Sequence, residues 1–290
     1  MPVHELAPAK VNLTLAVRGR RADGYHELES LVTFADVHDV VTLDPGTEIR
    51  VAATGPFAGR IGGANLLDRA LALLREAEGR LQLGSVLLEK NLPVAAGLGG
   101  GSADAAALLR AVRRANPDYA DRVAWAGIAA RLGADVPVCL SARPALMWGI
   151  GEKTAALTGL AQAHAVLVNP GVPVPTTDVF RALGAGPAPA ALAPAPPPEL
   201  RYLGELARYM RSHGNDLEPA AVRLLPAIAG IRAALEAEPE CLAASMSGSG
   251  PTCFGIFAGR AAARRAADRI AASHGGWWVR PTVLQGVPAA

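Results

Sequence analysis

The feature that most constrains this chain is an eleven-residue run rich in glycine, Pro93-Val94-Ala95-Ala96-Gly97-Leu98-Gly99-Gly100-Gly101-Ser102-Ala103. It follows a short apolar stretch, Val86-Leu87-Leu88, that reads as a buried strand. It precedes a segment with Ala105, Leu108, Leu109 and Val112 at i, i+3, i+4 and i+7, the spacing of a helix with one apolar face. A strand, a flexible glycine loop and a helix start in that order make an anion cradle. Residues without Cβ let successive backbone N–H groups turn toward one ligand, and the helix start adds unpaired donors and the positive end of its dipole. The other reading is a glycine turn with no ligand. Two commoner phosphate loops do not fit. A Walker A loop needs Gly-Lys-Ser/Thr and the chain has no Gly-Lys dipeptide; a dinucleotide fingerprint begun at Gly97 meets Ser102 where its last glycine belongs.

The rest of the chain is consistent with a two-domain enzyme. Its 290 residues exceed one small core, and 51% hydrophobic with 19% charged residues is a globular composition. A net charge of +2 and 4% aromatics, none interleaved with the basic runs, argue against nucleic acid as a partner. The arginine groups Arg18, Arg20, Arg21 and Arg260, Arg264, Arg265 read as solvated faces. Cys139, Cys241 and Cys253 form no Cys-x-x-Cys pair, so neither a disulfide framework nor a zinc site is expected, and a reducing cytoplasm fits. The first residues show no export signal, and no apolar run approaches the ~20 residues of a membrane span, so no membrane partner is expected.

Periodicity gives alternating strands and helices, an α+β protein. Strands are expected over 11–17, 31–34, 37–43, 49–52 and 165–168, the last turning at Asn169-Pro170-Gly171. Asn65 is placed to cap a helix bearing Leu67, Ala70, Leu71 and Leu74. A helix with Trp125, Ile128, Ala129 and Leu132 on one face is expected to end at a left-handed Gly133, which puts Asp135 just past a helix end. The proline- and alanine-rich tract from Ala185 to Pro198 has no periodicity and reads as a surface excursion.

The glycine run resembles the phosphate loop of the GHMP kinase superfamily, Pro-x-x-x-Gly-Leu-Gly followed by small residues. Two further segments agree with that family: Pro8-Ala9-Lys10-Val11-Asn12-Leu13 with its N-terminal motif, and Ser247-Gly248-Ser249-Gly250-Pro251-Thr252 with its C-terminal glycine motif. The resemblance spans nearly the whole chain. It implies a two-domain GHMP kinase fold, with a mixed α/β N-terminal domain over 1–155 and a ferredoxin-like C-terminal domain over 156–290. It also implies ATP, with Mg²⁺, held by residues 93 to 103, and no particular metal ligands.

Arg21-Ala22-Asp23-Gly24-Tyr25-His26, Leu132-Gly133-Ala134-Asp135-Val136-Pro137 and Pro175-Thr176-Thr177-Asp178-Val179-Phe180 resemble the branch of this family whose acceptor is a diphosphocytidyl sugar alcohol in isoprenoid-precursor synthesis. Flat cytosine faces suit a sandwich between Tyr25 and Phe180 with His26 at the ring edge, and Asn12 and Thr176 join that substrate site. By the same resemblance Asp135 is the base and Lys10 its electrostatic partner, a sufficient apparatus for a hydroxyl attacking a γ-phosphate. Ser102 and Asp104 fall where they could approach metal-bound phosphates. The bland alternatives are core aromatics for Tyr25 and Phe180, a helix cap for Asp135 and a surface charge for Lys10. Only Lys10, Lys90 and Lys153 among 28 basic residues are lysines, which hints that position 10 needs a compact ammonium. A homoserine- or mevalonate-type kinase and an inactive nucleotide-binding regulator are the competing functions. The expected assembly is a monomer or homodimer.

Overall fold

A computed structural model describes residues 1–62, 65–189, 194 and 199–286. In chain order the main elements are β1 (Val3–Asn12), β2 (Ala16–Arg20), β3 (His26–Asp44), β4 (Arg50–Thr54), α1 (Leu66–Ala77), β5 (Ser85–Glu89), α2 (Gly100–Ala115), α3 (Trp125–Leu132), α4 (Val136–Ser141) and β6 (Ala145–Gly149). They continue with β7 (Lys153–Ala156), β8 (Ala163–Asn169), α5 (Thr176–Leu183), α6 (Leu203–His213), α7 (Glu218–Leu224), α8 (Ala227–Glu236), β9 (Cys241–Met246), β10 (Cys253–Phe257), α9 (Arg260–Ser273) and β11 (Trp278–Leu284). The chain divides into two compact units: residues 1–9, 38–94 and 99–142, and residues 10–37, 95–98 and 143–290. This differs from a single linear boundary near 155, because residues 10–37 pack with the C-terminal half.

In the first unit β4 pairs parallel with β5, and β5 pairs antiparallel with Val40–Asp44 of β3. Helices α1 to α4 form its helical layer. Asn65 caps α1 as expected, its side chain accepting from the Leu67 N–H at 3.1 Å, and Leu67, Ala70, Leu71 and Leu74 are buried. The apolar stripe of α2, Ala105, Leu108, Leu109 and Val112, is fully buried. Gly133 closes α3 through an N–H to the Ala129 carbonyl, but at φ 166°, ψ 159° it is extended, not left-handed. The chain enters α4 within three residues, and an extended link carries it there directly.

In the second unit β8, β9, β10 and β11 form an antiparallel sheet in the order β11-β8-β10-β9, with α5 to α8 between β8 and β9 and α9 between β10 and β11. That β-α-β-β-α-β arrangement is the ferredoxin-like one expected. Its helices bury Val179, Ile228, Ile231, Leu235, Ala266 and Ile270 against Val166, Val168 and Phe257 of the sheet.

Two strand expectations change. The stretch 11–17 is interrupted, since the N–H groups of Leu13 and Thr14 both point at the Leu31 carbonyl and Leu15 turns to the Gly214 carbonyl. The expected strands 31–34 and 37–43 are one strand, β3. Asp36 between them stays extended because its carboxylate accepts from the Val283 N–H and the Thr282 hydroxyl of β11. Most of the tract 185–198 lies outside the described residues; at its start the Arg20 N–H donates to Gly186 and the Ala188 N–H to Arg20.

Candidate functional site

The glycine loop is fixed by the two other motifs of the sequence. In the second unit, three consecutive loop carbonyls are occupied: Ala96 accepts from the Thr252 N–H at 3.2 Å, Gly97 from the Ser247 hydroxyl at 2.8 Å, and Leu98 from the Lys10 N–H at 2.9 Å. Ser247 Oγ in turn accepts from the Asn12 N–H at 3.1 Å. Carbonyl oxygens repel an anion, so committing three of them to protein donors favours phosphate. Gly97 sits at φ 73°, and a Cβ there would lie 2.3 Å from the Ser247 carbonyl oxygen, so only glycine fits. Gly99, in the first unit, caps α2 at φ 61° and accepts from the Ala103 N–H. Gly101 is exposed and a Cβ would meet only the Leu66 side chain at an ordinary 3.5 Å, so the protein itself does not demand glycine there.

Behind the C-terminal glycine motif, Asn215 donates to the carbonyls of Met246 and Gly248 and accepts from the Leu217 N–H. Asn169 donates to the Thr252 hydroxyl at 2.8 Å. Asn169 is legible in the sequence only as a turn residue and Asn215 not at all; both act on turns whose polar groups burial would otherwise leave unpaired.

Lys10 is 4% exposed, which excludes the surface-charge reading. Its ammonium donates to Asn12 Oδ1 at 3.2 Å, and Asn12 donates onward to Ser30 Oγ at 2.7 Å. Asp135 stands at the N-terminus of α4, half-buried, and its side chain does not cap that helix, which removes the capping alternative. Asp104 is not on the surface. It is buried on α2 and bonded to Lys90 at 2.7 Å.

Tyr25, His26, Thr176 and Phe180 line one cleft of about 550 Å³ in the second unit, together with Arg20 and Ile150. The turn before Tyr25 is set by Asp23, whose Oδ1 accepts from the Tyr25 N–H, and by Gly24 at φ 89°. Thr176 Oγ1 lies 2.8 Å from Ser249 Oγ, joining the cleft to the C-terminal glycine motif. The aromatic arrangement differs from the expected one. His26 is not at the edge of a Tyr25–Phe180 slot: its ring stacks on Phe180 with centroids 4.6 Å apart at 23°. Tyr25 is 61% exposed. The histidine covers one apolar face of Phe180. Burial, with help from the Arg20 charge, holds the His26 pKa below its ordinary value, so the ring is neutral near pH 7 and offers one donor and one acceptor.

A family model described as GHMP kinases N terminal domain matches residues 65–143, and one described as GHMP kinases C terminal matches 198–275. The chain belongs to the GHMP kinase family and is an ATP-dependent small-molecule kinase. It is 48% identical over 290 residues to the 4-diphosphocytidyl-2-C-methyl-D-erythritol kinase of Parvibaculum lavamentivorans, covering 98% of this chain and 99% of that one. It is 49% identical to the kinase of the same name from Methylobacterium radiotolerans, covering 96% and 98%. A crystal structure of 4-(cytidine 5'-diphospho)-2C-methyl-D-erythritol kinase superposes with TM-score 0.75 at 38% identity, over 98% of this chain and 100% of that one. A homoserine kinase from Cytophaga hutchinsonii shares the fold, with TM-score 0.68 at 19% identity over 98% and 94%.

Proposed function

We propose that this kinase transfers the γ-phosphoryl group of ATP to the 2-hydroxyl of 4-diphosphocytidyl-2-C-methyl-D-erythritol, in the non-mevalonate route to isoprenoid precursors in the cytoplasm. The observation that carries the reading is the cleft of Tyr25, His26, Thr176 and Phe180, suited to a cytosine base, in a chain nearly half identical along its whole length to kinases named for that substrate. A neutral histidine beside Phe180, with one donor and one acceptor, matches a ring that presents both at its edge.

In this reading residues 93 to 103 hold the ATP phosphates. Asp135 accepts the proton of the attacking hydroxyl, and the buried ammonium of Lys10 offsets the charge that spreads over the transferring group. Asn12 supports Lys10 through the 3.2 Å bond. Mg²⁺ would accompany ATP and neutralise its phosphates. We assign it no ligands: among the described residues no group of three or more His, Cys, Asp or Glu could hold a metal ion. No helix among them is long and apolar enough to cross a membrane.

The test is ADP release against a panel of acceptor alcohols. The diphosphocytidyl sugar alcohol should be turned over with a kcat/KM far above homoserine or mevalonate; comparable turnover of either would overturn the substrate assignment.

A further inference from the structure

Beneath the start of α2, in the first unit, lies a charge cluster that the reaction as described does not use. Lys90 Nζ is 2.5 Å from Asp39 Oδ2 and 2.7 Å from Asp104 Oδ2, with all three side chains at most 5% exposed. Asp39 Oδ1 also accepts from the N–H groups of Asn91 at 2.5 Å and Leu92 at 2.8 Å, the two residues that lead into Pro93. The Lys90 backbone is held as well, its N–H on the Thr54 carbonyl and its carbonyl on the Phe57 N–H. The cluster therefore grips the entry of the glycine loop through Asp39 and the helix at its exit through Asp104.

We propose that Lys90, Asp39 and Asp104 are positioning residues that set the shape of the phosphate loop, and with it the affinity for ATP, without touching the nucleotide. The inference rests on the assignment of residues 93 to 103 to the ATP phosphates. Stability alone does not explain the cluster. Burying three ionisable groups carries a desolvation penalty that apolar residues of equal size avoid, and one carboxylate oxygen, Asp104 Oδ1, has no hydrogen-bond partner among the described residues. What the charges supply is direction: an ammonium held between two carboxylates fixes both attachment points where an apolar contact would let them slide.

Gly100 gives the second observation. A Cβ on this residue would lie 3.0 Å from Lys90 Nζ and 3.8 Å from Asp39 Oδ2. A side chain at position 100 would thus press on the clamped ammonium and make it give by a few tenths of an ångström, whereas Gly101 beside it has room for a side chain. One loop glycine serves the clamp and its neighbour is left for the ligand.

The experiment measures steady-state kinetics and calorimetric binding of a non-hydrolysable ATP analogue. Assayed at pH 8, where Asp104 is ionised, Lys90→Met with Asp104→Asn removes one charge of each sign, so the buried net charge is unchanged and Asp39 keeps its backbone bonds. We expect KM for ATP to rise by about tenfold, kcat at saturating ATP to stay within about threefold, and KM for the acceptor alcohol not to move. Asp104→Asn alone, which keeps an acceptor for Lys90, should fall between wild type and Asp104→Leu. A folded double variant with wild-type KM for ATP, or one that loses kcat instead, overturns the proposal. If the double variant does not fold, Gly100→Ala carries the test: it should raise KM for ATP less in an Asp104→Asn background, where Lys90 can give way, and an equal rise in both backgrounds overturns the proposal. Gly101→Val separates the two levels. If it leaves ATP binding unchanged, the loop assignment falls and the clamp with it; if it weakens ATP while the double variant does not, only the clamp falls.

Discussion

The glycine loop and the aromatic cleft differ in how much of their shape exists before a ligand arrives. In the loop, three consecutive carbonyls are committed to donors and Gly97 is locked by the Ser247 carbonyl. In the cleft, Tyr25 is exposed and His26 lies on the face of Phe180 that a base would need. The difference follows from the ligands we assign to them. A phosphate is compact and presents the same oxygens in every encounter, so backbone can be set for it in advance and the ordering cost is met during folding. A pyrimidine needs two large apolar faces, and leaving both open would expose aromatic surface to water; here His26 covers the Phe180 face and only Tyr25 stands open.

The largest expected effect leaves both regions alone. Asp135 belongs to neither, so Asp135→Asn should lower kcat by about 10²- to 10⁴-fold while the binding of both ligands persists. Calorimetry with each ligand separates the outcomes: loss of affinity alongside kcat would make Asp135 part of the binding scaffold, and near-normal turnover would remove it as the base.

Next in size is a contrast between glycines. Gly97→Ala places a methyl against backbone at a positive φ, and should cost about 3 kcal/mol of folding stability, combining strain with overpacking. Gly101→Val should leave the melting temperature nearly in place and raise the ATP dissociation constant. Reversal of these two outcomes, read by thermal unfolding and calorimetry, would break the claim that the loop is set by the protein itself.

The clamp makes a pH prediction. Burial, opposed by the Lys90 charge and reinforced by Asp39, pushes the Asp104 carboxyl up to about 7 from 3.8. Burial also draws the Lys90 pKa down, but the charges of Asp104 and Asp39 outweigh it and leave Lys90 above its ordinary value, hence charged throughout this range. An acid with a raised folded-state pKa binds more protons folded than unfolded, so its ionisation erodes stability as pH rises from about 4 to about 7 and adds nothing further beyond. Asp104→Asn cannot ionise. Denaturant unfolding from pH 5 to pH 8 should therefore move the stability difference toward the variant, by at most about 3 kcal/mol. A difference that is flat with pH would show that Asp104 does not titrate in this range.

The reach of the sequence divides along the same physical line. Period-3.6 stripes gave α1, α2 and α3, and three short motifs, two of them glycine-rich, gave the family, because local pattern and backbone geometry are written in consecutive residues. The structure places Lys10, Asn12, residues 95–98 and the Ser247–Thr252 loop in one hydrogen-bonded group, and Tyr25, His26, Thr176 and Phe180 in one cleft. What sequence could not give were partnerships set by tertiary contact. Asp39 lies in the middle of a long strand and Asn215 in a helix-to-helix link, with no pattern to single out either. The rarity of lysine was a hint for Lys10 alone, and burial sets Lys90 beside it: Lys10 and Lys90 are 4% exposed while Lys153 lies on an exposed strand. The break at Leu13–Leu15 and the continuity of β3 through Asp36 likewise depend on donors from distant residues.

The smallest expected effect tests the adjustable half of the comparison. A base that stacks on Phe180 must first displace His26, so some of the stacking energy is consumed in separating two rings already 4.6 Å apart. Tyr25 has no such bond to break, since it stands 61% exposed and can close over a base at the cost of its own side-chain freedom. Tyr25→Ala and Phe180→Ala should each weaken the cytidyl substrate by about 1–3 kcal/mol, the range for base–aromatic stacking, with Phe180→Ala nearer the lower end because the displaced contact is lost in the free enzyme as well. ATP affinity should stay within about twofold in both variants, as neither residue belongs to the loop. His26→Ala uncovers Phe180 and removes the edge contact together, so it should relax discrimination among pyrimidine bases more than it changes affinity. Titration of cytidyl and uridyl acceptors against the three variants decides the matter: unchanged cytidyl affinity in both Tyr25→Ala and Phe180→Ala would mean that the base binds elsewhere, and an equal loss of ATP affinity would mean that loop and cleft are not separately built.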